Sequence, residues 1–253
     1  MKARALAIDV LARVEATDAY LNVVLDHELS AHVLDDPRDA AFATELCYGT
    51  TRRRLALDHA IRGFSQRRLE QLEDRVLAAL RIGAYQIFYL RVPARAAVAE
   101  TVEAVKELGL ERAAGLVNAI LRRLAELPAL PLPPEGEVVA HLAVRESHPE
   151  WLVSRWIRQF GRERAEAMLI ADNQPPAVAL RANSARIARD ALVGELREAG
   201  IAAEPTRFSP QGIVLPPVGR LEDVYGYTEG LWQVQDEAAQ LVGIFAAVPD
   251  GAR

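Results

Sequence analysis

Cysteine is almost missing from this sequence: of 253 residues, only Cys47 carries a thiol. A single thiol excludes an intramolecular disulfide framework, a cysteine-rich zinc site and any chemistry that needs two cysteines in one chain. The 15 glycines are so spread that no two lie two residues apart, so there is no G-x-G-x-x-G phosphate loop. Lysine is confined to Lys2 and Lys106, and the other 28 cations are arginines. Arginine offers planar forks for phosphate and flat faces for stacking, although a GC-rich genome selects the same codons. No apolar run approaches the roughly 18–20 residues of a membrane-spanning helix. The N-terminal stretch interrupts its apolar pattern with Arg4, Asp9 and Glu15, so it does not read as a signal peptide. The five histidines show no H-E-x-x-H, and His27 and His32 stand five apart, off a common helix face. No metal site is expected, and the chain reads as cytoplasmic with no membrane partner.

What is present is ordinary globular material, 51% apolar and 26% charged, enough for a normal core. The net charge of −5 hides an asymmetry. Residues 1–128 balance 18 cations against 18 acids, and residues 129–253 hold 12 against 17. Inside the neutral half, 52–68 carries six arginines and one acid, Asp58. Such a local basic patch matters more to a polyanion than the average does.

Residues 1–127 read as almost wholly helical. Leu6, Val10, Leu11 and Val14 fall on one helical stripe. Asp36-Pro37 is an N-cap followed by proline in the first turn, with a helix through 40–48 running on towards Ile61. Further helices are expected at 71–90, at 95–108 with Gly109 as the residue after its cap, and through Leu116, Val117, Ile120, Leu121 and Leu124. The segment LPALPLPPEGE (127–137) holds four prolines and reads as a linker. The boundaries drawn are thus 1–127, a linker at 128–137, and 138–253. In the last part, helices after His148-Pro149 and from Arg162 lead to strands at 177–183, 212–216 and 230–235, with a helix at 186–199. The fold class is therefore mainly α: an all-α bundle, then a small α+β domain of βαββ order.

Several stretches together resemble a known family. ELCYGTTRR (45–53), LDHAI (57–61), LRIGAYQIFYLRVPARAAVAETVEAVKELG (80–109) and GLVNAILRRL (115–124) are similar to the NusB-like helical domain of the RsmB (Sun/Fmu) ribosomal-RNA methyltransferases. SHPEWLVSRW (147–156), ADNQPPAVALRAN (171–183) and WQVQDEAAQLV (232–242) resemble the segments that follow in that family. The resemblance covers about the whole chain. It implies a protein that transfers a methyl group from S-adenosylmethionine to C5 of a cytosine in small-subunit ribosomal RNA. The family continues past a segment like 248–253 into a glycine-rich cofactor loop and two catalytic cysteines. The chain is thus expected to be the front part of a longer protein, holding no cofactor and inactive alone, with small-subunit rRNA as its partner and a monomeric state.

The candidate RNA contacts are Arg52, Arg53, Arg54, Arg62, Arg67 and Arg68 in the basic patch, Arg122 and Arg123 at the end of the last bundle helix, and Arg181 and Asn183 at the end of a strand. Each also has a plain reading as a solvated or ion-paired surface residue. Cys47, on an apolar helix face, reads as core. Phe88 reads as core too, whereas Tyr85 and Tyr89 are open between core and an aromatic platform. The small sheet looks like an RNA-recognition fold, but its strands lack the exposed aromatics on which such folds stack bases. Asp236 reads as an N-cap. Two rival readings remain: a NusB-like antitermination or RNA-binding factor without enzymatic activity, which would end near 127, and an interaction protein whose arginines merely solvate it.

Overall fold

The structure is a computed structural model that describes residues 2–246 apart from Val33, Asp35, Pro176 and Pro217. Residues 248–253, where the sequence suggests the lead-in to a cofactor loop, lie outside the described residues. By packing, the chain forms two compact units, 1–173 and 174–253.

The first unit begins with seven helices: α1 (Ala3–Thr17), α2 (Leu21–Ala31), α3 (Pro37–Arg52), α4 (Arg54–Arg62), α5 (Asp74–Tyr89), α6 (Ala94–Glu107) and α7 (Glu111–Ala125). Their ends follow the sequence signals. The Asp36 side chain accepts the Arg38 N–H at 2.8 Å, and Pro37 opens α3. Gly109, at φ +75°, lets its own N–H reach Lys106 O and the next N–H reach Val105 O, the paired bonds that close a Schellman end. The run from α3 towards Ile61 is two helices, because Arg53 leaves helical geometry at φ −100°, ψ 14°.

α5 is the axis of the bundle, with residues 76–86 all buried. A helix buried on every side must satisfy its polar residues internally. Arg81 does so with Asp58: Nε donates to Oδ1 at 2.7 Å and Nη2 to Oδ2 at 2.9 Å, while Nη1 reaches Glu15 at 3.2 Å. Burial works against the guanidinium charge, but the bonds to Asp58 outweigh it and raise the Arg81 pKa. Gln86 accepts from Arg4 Nε at 2.8 Å and donates to Thr101 Oγ1 at 3.2 Å, tying α1 and α6 to the axis. At Gly83, a Cβ would stand 2.3 Å from Leu121, so glycine permits the close approach of α7.

Three more helices complete this unit: α8 (Val138–Glu146), which the sequence reading did not single out, α9 (Glu150–Phe160) and α10 (Arg162–Asp172). They share a small core of Leu142, Ala143, Val153 and Leu169. The packing therefore divides the chain after Asn173, whereas the sequence put the boundary at 128–137. The reason is physical. Leu127 and Leu130 pack on the main core, His141 Nδ1 lies 2.8 Å from Pro133 O, and α8 is bonded to the α3–α4 junction. The proline-rich segment is packed down rather than a free spacer.

The second unit contains β1 (Val178–Ala182), α11 (Arg189–Glu198), β2 (Glu204–Pro205), β3 (Gly212–Leu215), β4 (Trp232–Val234) and α12 (Glu237–Ala246). The sheet is antiparallel in the order β2-β3-β1-β4. Leu180, Ile213 and Trp232 pack with Leu192, Val193 and Leu196 of α11. The two-residue β2 adds a strand to the expected βαββ order. It is an edge strand ending in proline, too short to leave a pattern and placed where a missing N–H costs least. Asp236 caps α12, accepting from the Ala238 N–H at 2.8 Å.

Candidate nucleic-acid interface

The three consecutive arginines at the α3–α4 junction have different surroundings. Arg53 turns inward. Its side chain is 19% exposed, its Nη1 lies 3.2 Å from Glu146 Oε2 and 3.4 Å from Arg145 O, and its guanidinium stands 5.1 Å from the Tyr89 ring centre. Tyr89 stacks on Tyr85 at 5.6 Å, and the Tyr85 hydroxyl donates to Glu45 at 2.5 Å. Burial, reinforced by that carboxylate, pushes the Tyr85 phenol up, so it stays a neutral donor. Tyr85 is buried and Tyr89 half-buried, so the pair supports Arg53 rather than offering a free platform. Beside them, Ser147 Oγ accepts the Leu55 N–H at 2.8 Å and so caps α4 from a distant segment. Arg54 pairs with Glu15 at 3.3 Å, and Arg52 is half-buried without an ion pair among the described residues. Arg53→Ala is expected to lower stability by about 1–3 kcal/mol, because a buried carboxylate loses a charged partner. Chemical denaturation checks this, and a loss under 0.5 kcal/mol would contradict it.

The next three candidates surround the loop after α4. Arg62 and Arg68 both lean on Glu70, at 3.4 and 3.7 Å, and Arg67 is exposed without an ion pair among the described residues. The loop folds on itself as Ser65 Oγ donates to Arg67 O at 2.7 Å. Between this loop and α7 runs a groove of about 620 Å³. Leu72, Val76, Leu116 and Ile120 floor it, and Arg67, Arg112 and Arg123 rim it, with Glu73 as its acid. The Arg123 guanidinium lies 4.7 Å from the Phe64 ring centre. Arg112 was missed in the sequence, although its spacing to Leu116 and Arg123 puts it on the same face of α7. Arg122, one residue from Arg123, turns instead to a separate recess with Arg95 and Asn118.

In the second unit, Arg181 lies across from Gln233 in the β1–β4 pairing. With the Gln233 amide oriented to satisfy both groups, Arg181 Nε donates to it at 3.1 Å. Asn183 Nδ2 donates to Gly230 O at 3.0 Å, so this side chain ties down a turn. Both residues line one shallow recess. The structure thus joins Arg67 to Arg123, and Arg181 to Asn183, and separates Arg52, Arg54 and Arg122 from those pairs within their own surroundings.

Cys47 is fully buried, and desolvation pushes its thiol up to about 12. A thiol so placed is a poor nucleophile. Alkylation at pH 8 is expected only through unfolding, with a rate that follows denaturant. Labelling of the native chain as fast as of a free thiol would contradict the core placement. Among the described residues, no His, Cys, Asp and Glu group could hold a metal ion, and no helix is long and apolar enough to cross a membrane.

The NusB family model matches residues 1–126, and the model for the ferredoxin-like domain of RsmF/B-like methyltransferases matches 148–219. The chain is 36% identical over 258 residues to the ribosomal RNA small subunit methyltransferase B of Pseudomonas putida, covering 100% of this chain and 56% of that protein. It is 31% identical over 240 residues to the probable ribosomal RNA small subunit methyltransferase B of Bacillus subtilis, covering 94% and 53%. The crystal structure of PH0851 shares the fold, with a TM-score of 0.73 over 97% of this chain and 55% of that one, at 15% identity. The chain thus carries a NusB-family domain and then the ferredoxin-like domain of RsmF/B-like methyltransferases, is similar over nearly its whole length to ribosomal RNA small subunit methyltransferase B proteins, and spans about half the length of the curated relatives it matches.

Proposed function

We propose that this chain is the RNA-gripping part of an S-adenosylmethionine-dependent methyltransferase that modifies C5 of a cytosine in small-subunit ribosomal RNA in the cytoplasm. The observation that carries the reading is the groove on α7. Three arginines without ion pairs among the described residues rim an apolar floor, in a chain whose net charge is −5. Cations at the rim suit phosphates, and an apolar floor with a guanidinium over Phe64 suits an unpaired base. Arg52, Arg62, Arg68 and Arg122 extend the same role along the surface, and Arg181 and Asn183 offer a second recess. Arg53 and Arg54 serve it by fixing the backbone beneath.

S-adenosylmethionine supplies the methyl group of such a reaction. The described residues do not fit it: the sheet is antiparallel throughout, without the parallel β–α–β crevice where such cofactors sit. Activation of cytosine needs a thiolate to add at C6, and Cys47, buried with a raised pKa, does not supply one. The antitermination reading gives no account of the ferredoxin-like domain matched at 148–219.

The test is fluorescence anisotropy with a small-subunit rRNA hairpin and an unrelated hairpin, across a salt series. Tighter, salt-sensitive binding of the rRNA hairpin supports the reading. Equal binding of both would remove rRNA recognition from this chain.

A further inference from the structure

The chain has three tryptophans. Trp232 is buried, and its Nε1 donates to Tyr225 O at 2.6 Å. Trp156 is half-buried beside His148, with 6.3 Å between ring centres, and packs on the small core of α8–α10. Trp151 alone stands in solvent, 65% exposed at the start of α9. An indole is the largest apolar surface a residue can leave in water, so its exposure calls for a cause.

The residues that share its helix face are informative. Arg155 and Arg158 follow at i+4 and i+7, one and two turns on, and both are exposed. Neither forms an ion pair among the described residues, unlike Arg145, which is tied to Glu146 at 3.0 Å and Glu166 at 2.5 Å. The nearest acid on α9 is Glu150, about 100° around the helix from Trp151. The stripe is therefore an open indole followed by two free guanidinium groups along roughly 10 Å of rigid helix. Its α9 neighbours Val153, Trp156 and Ile157 anchor the opposite side in the core.

We infer that the Trp151–Arg155–Arg158 stripe of α9 is a second RNA site that takes single-stranded RNA, one base stacking on Trp151 and the following phosphates meeting Arg155 and Arg158. Stacking on an open aromatic is sequence-tolerant, and adjacent cations track the backbone. Free cations beside an aromatic fit a polyanion with flat bases. An apolar protein partner would leave both arginines desolvated without counter-charge. The inference rests on the RNA-binding reading above, but it uses a different helix and a different form of RNA from the groove.

The experiment compares two probes on the whole 253-residue chain: a short fluorescein-labelled oligoadenylate and the rRNA hairpin. Trp151→Ala is expected to weaken oligoadenylate binding about ten-fold, and Trp151→Phe to restore most of it. Arg155→Gln and Arg158→Gln should each flatten the log–log salt slope by about 0.7. Circular dichroism melts should stay at the wild-type midpoint, since all three side chains are exposed. If these variants leave oligoadenylate binding unchanged while the hairpin still binds, the stripe is overturned and the groove reading stands. If oligoadenylate binding responds to Trp151 while the hairpin is ignored, the stripe stands and the groove reading falls. If neither RNA binds, both fall. A Trp151→Ala chain that changes only from dimer to monomer would show that the indole covers a second copy, which also overturns the inference.

Discussion

Asp58→Ala is expected to lower the melting temperature by on the order of 10 °C. The Asp58 and Arg81 side chains are only 7% and 10% exposed, and the Nε–Nη2 edge of the guanidinium is committed to the carboxylate. Removing the acid leaves a cation that cannot discharge itself, because arginine stays protonated at any accessible pH. Breaking a buried pair in this way costs about 3–5 kcal/mol, and a unit of this size loses about 2–4 °C per kcal/mol. Glu15, 3.2 Å from Arg81 and 33% exposed, remains as a partial partner and places the effect near the lower end. The companion variant, Asp58→Leu with Arg81→Met, removes both charges and fills their space, and should recover most of the loss. Calorimetry on the three proteins decides the matter. If the double variant melts as low as the single one, packing rather than charge pairing holds this part of the bundle together.

Converting Arg67, Arg112 and Arg123 together to glutamine is expected to weaken hairpin binding by on the order of a hundred-fold near 0.1 M salt. Each phosphate contact releases condensed counterion and adds about 0.9 to the slope of log affinity against log salt on a duplex. Three such contacts amount to a slope change of nearly three. Referred to 1 M salt, that is more than two decades of affinity at 0.1 M. The three side chains are exposed, so the fold should survive the change. Arg53→Ala offers a contrast: stability should fall while the salt slope stays near that of the unchanged chain. An unaltered slope in the triple variant would show that the phosphates lie elsewhere, whatever the groove's charge suggests.

Much of the fold can be read from local pattern. Leu6 and Val10 are fully buried on the face their spacing predicts, and Asp36 and Gly109 begin and end helices as capping chemistry requires. Cys47 among apolar neighbours is core. The break at Arg53 could not be placed from the sequence: Gly49, Thr50 and Thr51 are weak helix formers that suggest a helix end there, but they do not mark the residue at which the helix breaks. It follows from Glu146 and Ser147, more than ninety residues away, which take up the Arg53 side chain and the Leu55 N–H. The two-residue β2 escaped notice for want of length, and α8 because the prolines before it drew the boundary there.

The candidate site divides in the same way. Sequence located the basic patch, and it placed Arg122 and Arg123 at the end of α7. It could not say that Arg53 turns inward to a buried carboxylate, that Arg62 and Arg68 share Glu70, or that Arg67 meets Arg112 and Arg123 across one groove. Periodicity, capping and turn chemistry act within a few residues, so the order of residues determines where helices form and which face is apolar. Charge pairing and groove formation act through space between residues far apart in the chain. Which arginines remain free for a polyanion was therefore decided only when the helices packed.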